Sequence, residues 1–254
     1  MDDLVARLRA AGCVFAEDEA DLLRAAGGDL EALVARRVAG EPLETVLGWV
    51  AFAGRRWSVA PGVFVPRTRT VVLVETAADL VDPGDLVVDL CCGVGAVGGA
   101  IAATVPGVVV HAADVDPVAV DLARRNLAPS GAHAWVGDLF DALPTDLRGT
   151  VDVVVANAPY VPTAAIALMP PEARDHEPHH TLDGGEDGLA IARRILAGVG
   201  AWLRPGGHLL VETGATLADA LADAFEAAGL LDVVVLHDED HDGWAVGGRS
   251  ATRR

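Results

Sequence analysis

Residues 157–160, Asn-Ala-Pro-Tyr, carry the residue types best suited to chemistry, and they directly follow an apolar run with strand character. The side-chain oxygen of Asn157 and the main-chain carbonyl of Ala158 can each accept one N–H of a planar –NH2 group. Pro159 biases Ala158 towards extended backbone, and the ring of Tyr160 can stack on such a group. Holding both N–H bonds orients a delocalised, poorly nucleophilic lone pair towards a methyl donor. These four residues are therefore predicted to be catalytic, although the motif alone would equally fit a strand-ending turn.

A glycine loop, Gly93-x-Gly95-x-x-Gly98, follows another apolar strand pattern at residues 86–91. The loop matches the dinucleotide fingerprint, which gains weight from an acidic residue about 20 positions further on. Asp114 occupies that position and would bind a ribose. NAD and S-adenosylmethionine both present an adenosine ribose, so the loop by itself allows either cofactor.

Asp89 distinguishes the two cofactors, because it lies inside the first strand, four residues before Gly93. A carboxylate there suits a cofactor with an ammonium and a sulfonium group, and it disfavours a pyrophosphate. Its alternative role is to brace the glycine loop. Asp138 follows the third strand, where it would accept a hydrogen bond from an adenine amino group or cap a helix.

The predicted cofactor-binding set lies along neighbouring strand ends. It comprises Asp89, Cys91, Gly93, Gly95, Asp114, Val115, Asp138, Leu139 and Asn157. Cys91 and Cys92 are interpreted as small residues beside a tight loop, without a redox role. The histidines of residues 176–180 lack the spacing typical of zinc sites, so no metal is predicted.

Strand patterns alternate with helical patterns from residue 67 onward. Strands are predicted at residues 86–91, 108–115, 133–139, 151–158, 206–213, 232–238 and 243–249. Helices are predicted between them, two of them at residues 187–203 and 216–229. This alternation predicts an α/β fold with a parallel, doubly wound sheet, and the strand carboxyl ends of such a sheet would bring the polar residues together.

Three regions are predicted along the chain. Residues 1–40 have apolar residues at three- and four-residue spacing, which indicates a small helical region with Gly27-Gly28 between two short helices. Residues 41–66 contain two apolar stretches around Gly54-Arg55, which predict a β-hairpin connector. Residues 67–254 form the predicted α/β domain.

The composition is that of a globular protein, 52% hydrophobic, with a formal net charge of −18. This charge repels phosphate backbones, so stable nucleic-acid binding is not expected, whereas a basic protein partner would be attracted. The three cysteines and the acidic start of the chain favour a cytoplasmic location. The uncharged residues 90–110 are interpreted as buried strand, turn and helix, because Pro106-Gly107 and a glycine cluster interrupt them, and no membrane association is expected.

Four motifs resemble, in order and spacing, the class I S-adenosylmethionine-dependent methyltransferases. They are VVDLCCGVGAVG, ADVDPVAVDLARRN, GDLF and NAPYVPT. The tract PPEARDHEPHHTLDGGEDGLAIARRIL and the upstream FVPRTRT loop are similar to the protein-glutamine N-methyltransferases that modify peptide chain release factors or a ribosomal protein. The resemblance spans residues 40–250.

The resemblance implies a Rossmann-like methyltransferase sheet, mostly parallel with an antiparallel last strand, and S-adenosylmethionine as cofactor. It implies methyl transfer to the side-chain amide nitrogen of a glutamine in a Gly-Gly-Gln-type protein segment, with the amino-terminal helices helping to dock that protein. It further implies that Asn157, Tyr160 and Glu177 contact the acceptor and that Arg67 and Thr70 belong to the site.

Departures from the family pattern point to a related branch with a different or unassigned protein substrate. Ala158 replaces a proline of the usual Asn-Pro-Pro-Tyr and preserves the backbone carbonyl. Residues 66–71, Pro-Arg-Thr-Arg-Thr-Val, replace Pro-Arg-Pro-Glu-Thr-Glu and lack both glutamates. Three alternatives stay open: an N-methyltransferase for an exocyclic amino group of a nucleic-acid base, an NAD-dependent dehydrogenase, and a cofactor-binding module without catalysis.

Overall fold

The amino-terminal helices form because short amphipathic segments each bury one apolar face against the others. The computed structural model describes residues 3–252. Its first helices are α1 (Asp3–Ala10), α2 (Ala16–Ala25), α3 (Leu30–Val38) and α4 (Leu43–Leu47). Their apolar faces meet in a cluster that includes Leu8, Leu23, Val34 and Val46.

The prediction of one helix before Gly27-Gly28 is wrong, because that segment contains both α1 and α2. The chain turns between them at Gly12, whose φ of +94° ends α1. Gly27-Gly28 does separate α2 from α3, as predicted. The helix α4 lies in the predicted connector, yet its Val46 packs with the amino-terminal cluster. The regional boundaries at residues 40 and 66 stay predictions.

A β-hairpin follows α4 and consists of β1 (Trp49–Phe52) and β2 (Arg55–Ser58). The strands are antiparallel, with Val50 opposite Trp57. The two turn residues, Ala53 and Gly54, have φ values of +47° and +70°, which suit the right-handed twist of a tight hairpin.

Seven strands form one sheet. They are β3 (Leu86–Leu90), β4 (Val109–Asp114), β5 (His133–Val136), β6 (Val151–Ala156), β7 (Leu203–Thr213), β8 (Leu231–Asp238) and β9 (Gly243–Arg249). Their order is β5-β4-β3-β6-β7-β9-β8. The first five of this order run parallel, and the last strand of the chain, β9, is antiparallel to both of its neighbours. The predicted α/β fold with a mostly parallel sheet and an antiparallel last strand is confirmed.

Helices cover both faces of this sheet. They are α5 (Val71–Asp79), α6 (Ala96–Thr104), α7 (Pro117–Leu127), α9 (Ala190–Val199) and α10 (Ala218–Ala227). The short helix α8 (Pro171–His176) lies in the segment between β6 and α9. Alternate strand residues point to opposite faces, so Val87 packs in the layer of α5 and α6, whereas Val88 packs in the layer of α9 and α10. The chain continues to β4 on one side of β3 and reaches β6 on the other, which opens a crevice at the strand carboxyl ends. Within residues 3–252, helices are too short or too polar to cross a membrane.

The hairpin is fastened to the glycine loop by two contacts. Trp57 is buried against α6, where a Cβ on Gly99 would lie 2.4 Å from its ring. Asn126 of α7 donates from Nδ2 to the carbonyl oxygens of Ser58, at 3.0 Å, and of Val94, at 2.9 Å. These contacts hold β2 and the loop before α6 in one position relative to each other.

Candidate functional site

A cavity of about 330 Å³ opens at the carboxyl ends of β3, β4 and β6. The predicted site residues that line it are Asp89, Cys91, Gly93, Asp114, Val115, Asp138, Leu139, Asn157, Ala158, Pro159, Tyr160 and Glu177. Gly95 lies outside this lining, directly before α6, with a φ of +76° and with Ala123 and Leu127 packed where a side chain would begin. Its contact with a cofactor stays a prediction.

Asp89 is 1% exposed at the inner end of the cavity. Its Oδ2 accepts a hydrogen bond from the backbone N–H of Gly98 at 2.8 Å, so the carboxylate braces the first turn of α6. Burial raises the pKa of Asp89 to about 7, against the opposing effect of the Gly98 N–H and with a further rise from Asp114. A cationic ligand beside Asp89 would favour its ionised form.

Asp114 ends β4 and is held by two backbone groups. Its Oδ2 accepts from the N–H of Gly93 at 2.8 Å, and its Oδ1 accepts from the N–H of Asp116 at 2.9 Å. Burial raises the pKa of this carboxyl group. Each oxygen can accept a further hydrogen bond, which suits the hydroxyl groups of a ribose.

Asp138 is paired with Arg194 of α9, with 2.6 Å between Oδ2 and Nη2. It precedes a short helical turn without capping it through its side chain, so the capping alternative is not observed. Beside it, Leu139 has a φ of +49°, and Cys91 has a φ of +53°. Non-glycine residues adopt this region rarely, and such backbone strain concentrates at functional sites. Burial raises the pKa of the Cys91 thiol, which keeps it protonated.

Asn157 follows β6 and donates from Nδ2 to the hydroxyl oxygen of Thr70 at 3.3 Å. The amide nitrogen is thereby engaged, and the amide oxygen is left to accept from a ligand. Ala158 is 2% exposed, and none of the described residues donates a hydrogen bond to its carbonyl oxygen. Two acceptors therefore stand next to each other on the cavity wall.

The backbone of Pro159 and Tyr160 is packed against glycines of residues 184–188. A Cβ on Gly184 would lie 2.8 Å from the Pro159 carbonyl oxygen. A Cβ on Gly188 would lie 2.5 Å from the Tyr160 carbonyl oxygen, and Gly188 also has a φ of +81°. The close approach that fixes this stretch is possible because both positions lack a side chain.

The Tyr160 hydroxyl donates to Oε1 of Glu212, at the end of β7, over 3.3 Å. The same oxygen lies 3.5 Å from Nε of Arg69, whose guanidinium is 5.9 Å from the centre of the Tyr160 ring. Burial raises the pKa of Tyr160, so its hydroxyl remains a donor at neutral pH. The ring is thus held at its outer end by a buried carboxylate.

Glu177 also lines the cavity, and its side chain is 1% exposed. Its Oε1 accepts from the N–H of Val65 at 3.3 Å and from Nη2 of Arg67 at 2.5 Å. Its Oε2 is buried and has no hydrogen-bond partner among residues 3–252. Burial raises the pKa of Glu177, and the charge of Arg67 opposes that rise.

The end of the cavity beside the glycine loop has the charge that suits a cationic cofactor, whereas Arg67, Arg69 and Arg194 line other parts of it. Asp89, Asp114 and Asp138 line the cavity together, and the glycine loop of residues 91–98 has no basic side chain that would neutralise a pyrophosphate. Carboxylates suit the ammonium, sulfonium and ribose hydroxyl groups of S-adenosylmethionine. No group of three or more metal-binding side chains occurs within the described residues.

Sequence reasoning missed Glu212 and Arg194. A carboxylate inside an apolar strand is an available signal for Glu212, since the same signal singled out Asp89. Arg194 lies on an amphipathic helix next to Arg193, and no local sequence pattern distinguishes it. Its role depends on how α9 lies against the turn after β5.

Several known proteins with similar sequences are methyltransferases. Residues 60–169 match the family described as Methyltransferase small domain. The release factor glutamine methyltransferase of Geobacter sulfurreducens is 38% identical over 219 residues, 85% of this chain and 76% of that protein. The release factor glutamine methyltransferase of Mycolicibacterium smegmatis is 41% identical over 212 residues, 82% of this chain and 74% of that protein.

A further relative is named for a small-molecule substrate. The 4-amino-L-phenylalanine/4-methylamino-L-phenylalanine methyltransferase of Streptomyces pristinaespiralis is 37% identical over 203 residues, 77% of this chain and 69% of that protein. Among solved structures, a methyltransferase from Pyrococcus furiosus has a TM-score of 0.57 at 16% identity and covers 77% of this chain and 88% of that one. At that identity the structural likeness supports the fold alone.

Proposed function

The chain belongs to the family of the release factor glutamine methyltransferases, and from this premise we propose that it methylates the side-chain amide nitrogen of a glutamine in a protein substrate. The methyl donor is S-adenosylmethionine, whose sulfonium supplies an electrophilic methyl group when bound. The proposed acceptor protein is a peptide chain release factor with a Gly-Gly-Gln segment. The rest of the mechanism concerns what the residues of this chain hold and orient.

The cofactor end of the cavity binds through fixed carboxylates. Asp114 accepts from the ribose hydroxyl groups, and Asp89 lies where it can face the positively charged groups of the cofactor. Asp138 accepts from the adenine amino group while it stays paired with Arg194. Val115 and Leu139 supply apolar contacts at the same end. The backbone N–H groups of Gly93 and Gly98 already bind Asp114 and Asp89, so the loop holds these carboxylates in place.

The acceptor end works by orientation. The Asn157 oxygen and the Ala158 carbonyl accept the two N–H bonds of the glutamine amide, and the Tyr160 ring stacks on its plane. The nitrogen lone pair is then directed at the methyl group, an arrangement that lowers barriers by roughly 7–11 kcal/mol in favourable cases. Because a sulfonium is a strong electrophile, no strong base is required. The C–N bond would form as the S–CH3 bond breaks, S-adenosylhomocysteine would leave as the neutral thioether, and the methylated nitrogen would lose one proton to solvent.

One observation carries the proposal: Asn157 is held through its nitrogen, which leaves its oxygen and the neighbouring carbonyl free beside the cavity. The test is to incubate the full chain with methyl-labelled S-adenosylmethionine and an unmethylated release factor, and then to locate the label by mass spectrometry. We expect it on the glutamine of Gly-Gly-Gln. A release factor with asparagine in place of that glutamine is the matched control and should stay unlabelled.

Label on another residue type, or none on release factors and ribosomal proteins, would contradict the assignment. A second candidate acceptor is a free aromatic amine, which the relative from Streptomyces pristinaespiralis favours. An arylamine is also a planar –NH2 group with a delocalised lone pair, so the same two acceptors would hold it. Adding 4-amino-L-phenylalanine to the same assay separates the candidates.

The remaining alternatives are less well supported. A nucleic-acid base would have to approach a chain with a net charge of −18. A dehydrogenase would have to place a pyrophosphate beside Asp89 and Asp114. Calorimetry with NAD and with S-adenosylhomocysteine addresses the second point directly, and we expect heat of binding only with S-adenosylhomocysteine.

A further inference from the structure

Arg69 places a positive charge at the acceptor end of the cavity. It belongs to the short helical turn Thr68–Thr70, lines the cavity, and has a side chain that is 45% exposed. Its Nε lies 3.5 Å from Oε1 of Glu212, and its guanidinium carbon lies 5.9 Å from the centre of the Tyr160 ring. Within residues 3–252, neither Nη1 nor Nη2 of Arg69 donates a hydrogen bond. These two groups are therefore available to a ligand in the cavity.

The other two arginines that line the cavity have closer counter-ions. Nη2 of Arg67 lies 2.5 Å from Oε1 of Glu177. Nη2 of Arg194 lies 2.6 Å from Oδ2 of Asp138. A guanidinium has five N–H donors in a planar fork and stays charged throughout the physiological pH range. Because the ion pair of Arg69 is the longest of the three, Arg69 is the arginine best placed to bind a further anion.

The backbone of Arg69 is held in place by close packing. A Cβ on Gly243, at the start of β9, would lie 2.2 Å from the carbonyl oxygen of Arg69. Packing of this kind fixes the turn against the sheet, so the side chain starts from a defined point. From there the guanidinium reaches the Tyr160 ring. An anion bound by Arg69 would therefore lie beside a planar –NH2 group that stacks on this ring.

The sequence has a positive charge where the family pattern has a negative one. Arg69 occupies the position of the first glutamate of Pro-Arg-Pro-Glu-Thr-Glu, and Val71 occupies that of the second. A glutamate would repel an anionic group of the acceptor, whereas an arginine attracts it, and both effects contribute to specificity. The net charge of −18 acts at long range and is screened by salt, so it does not prevent an ion pair at contact distance.

We propose that Arg69 determines acceptor specificity by binding a carboxylate that the acceptor carries close to its planar –NH2 group. Two sources have this chemistry: an amino acid with an aromatic amine, and a protein segment with an acidic residue next to the glutamine. An arginine binds a carboxylate through parallel N–H···O hydrogen bonds, which select direction as well as charge. The inference rests on the proposed function, because it assumes that the –NH2 group lies on the Tyr160 ring.

Two matched pairs of acceptors measure the effect of the carboxylate. The first pair is 4-amino-L-phenylalanine and 4-(2-aminoethyl)aniline, which lacks the carboxylate. The second pair is a Gly-Gly-Gln peptide with aspartate directly after the glutamine and the same peptide with asparagine there. With the full chain and S-adenosylmethionine, we expect kcat/KM to be at least about tenfold higher for the carboxylate member of one pair, which identifies the source. A smaller preference in both pairs would overturn the proposal.

Variants of Arg69 assign the preference to this side chain. Arg69→Gln removes the charge and should abolish the preference, whereas Arg69→Lys keeps a charge and should retain part of it. The control is Arg125→Gln, which changes an exposed arginine of α7 outside the cavity lining and should keep the preference of the parent. Equal losses of kcat/KM for both members of a pair in Arg69→Gln would leave the preference unchanged and would overturn the proposal.

A binding measurement needs no turnover. Calorimetry on the chain saturated with S-adenosylhomocysteine compares the Kd values of the same four compounds, and the carboxylate member of one pair should bind at least about tenfold more tightly. If the parent methylates neither these compounds nor a release factor, the proposed function fails, and the Kd values still decide whether Arg69 binds a carboxylate. No binding, or equal binding within both pairs, would overturn the inference.

A salt titration of the parent protein replaces the variant should Arg69→Gln fail to fold. The tighter binding of the carboxylate member should weaken as the NaCl concentration rises, because a partly exposed ion pair is screened by salt. A preference that does not change with salt would show that the carboxylate is not bound through its charge, and the proposal would be wrong.

Discussion

Some side chains of this cavity use one polar atom for a hydrogen bond within the protein and leave another polar atom free to bind a ligand. Asn157 is bound through its nitrogen, and Asp89 through one oxygen, which leaves the remaining polar atoms for ligands. In both residues, a hydrogen bond within the protein fixes the side chain, so that its free oxygen can accept a hydrogen bond from a ligand. The proposed binding of the acceptor and of the cofactor depends on these free oxygens.

Removing the Asn157 amide should separate catalysis from cofactor binding. We expect Asn157→Ala to lower methyl transfer at least about a hundredfold, because one of two acceptors for the glutamine N–H bonds is lost. Cofactor affinity, measured by calorimetry with S-adenosylhomocysteine, should stay nearly intact. Strong transfer activity in this variant would contradict the proposed clamp.

Asp89 should make cofactor binding depend on pH. Its pKa of about 7 in the ligand-free protein means that the carboxyl group is partly protonated at neutral pH. A cationic ligand favours the ionised form, so binding releases protons, and affinity for S-adenosylmethionine should rise from about pH 6 to about pH 8 and then level off. Calorimetry in buffers of different ionisation enthalpy measures both effects.

The matched variant for this pH dependence is Asp89→Asn, which cannot ionise. It should bind the cofactor more weakly at high pH and show no rise across the same interval. An affinity that is flat or falls with pH in the parent protein would show that Asp89 does not carry the titration.

Helices, strands and loops around this site pack closely against one another at glycines. The segment after β6 runs past residues 184–188 at distances that a Cβ would not permit, and Trp57 of the hairpin occupies space left by Gly99 of α6. Such contacts hold a loop more firmly than surface hydrogen bonds do, because a packed backbone can neither rotate away nor be replaced by water. The loop that ends β6 is therefore rigid by packing.

Two glycines with similar backbone and different surroundings test this rigidity. Gly188 and Gly149 have φ values of +81° and +74°, but only Gly188 has atoms within 4 Å of where a Cβ would lie. Gly149→Ala should destabilise the fold by about 1 kcal/mol through backbone strain alone and leave turnover unchanged. Gly188→Ala should destabilise more in urea unfolding and lower turnover at least about tenfold, because the Tyr160 carbonyl has to move. Equal effects of the two would contradict the packing argument.

At the scale of the whole molecule, Arg37 connects the amino-terminal helices to the cavity wall. It is 6% exposed, pairs with Glu19 at 2.6 Å, and reaches Glu172 of α8 at 2.6 Å. The helix α8 directly precedes Glu177, which lines the cavity. The small helical region is thus joined to α8 by a buried pair, Arg37 and Glu19, and by the half-exposed Glu172.

Removing the charge of Arg37 should lower the free energy of unfolding of the amino-terminal helical region. Arg37→Met leaves Glu19 buried without its partner, and we expect a loss of about 3–5 kcal/mol in urea unfolding. The exposed pair of Arg7 and Glu31 gives the control, since Arg7→Ala should change stability by less than about 1 kcal/mol. Partial recovery of stability by the double variant Glu19→Gln, Arg37→Met would confirm that the unpaired charge causes the loss.

Much of the fold and part of the site were predictable because their signals are local. Alternating strand and helix patterns specify a doubly wound sheet, and the carboxyl ends of parallel strands share one edge. Asp89, Asp114 and the residues after β6 therefore had to lie near one another. The break between α1 and α2 and the short helix α4 were missed, since a turn at Gly12 and a single helical turn leave little periodicity to detect.

By itself, the sequence determined the fold class, the strand ends that carry the chemistry, and the pair of acceptors at Asn157 and Ala158. The tertiary structure decided which atoms of those residues are engaged and which are free. Thr70 and Asn157 are 87 residues apart, and Tyr160 and Glu212 are 52 apart. Contacts at such separations depend on the strand order and on the path of the loops between strands, and no local pattern of residues encodes them.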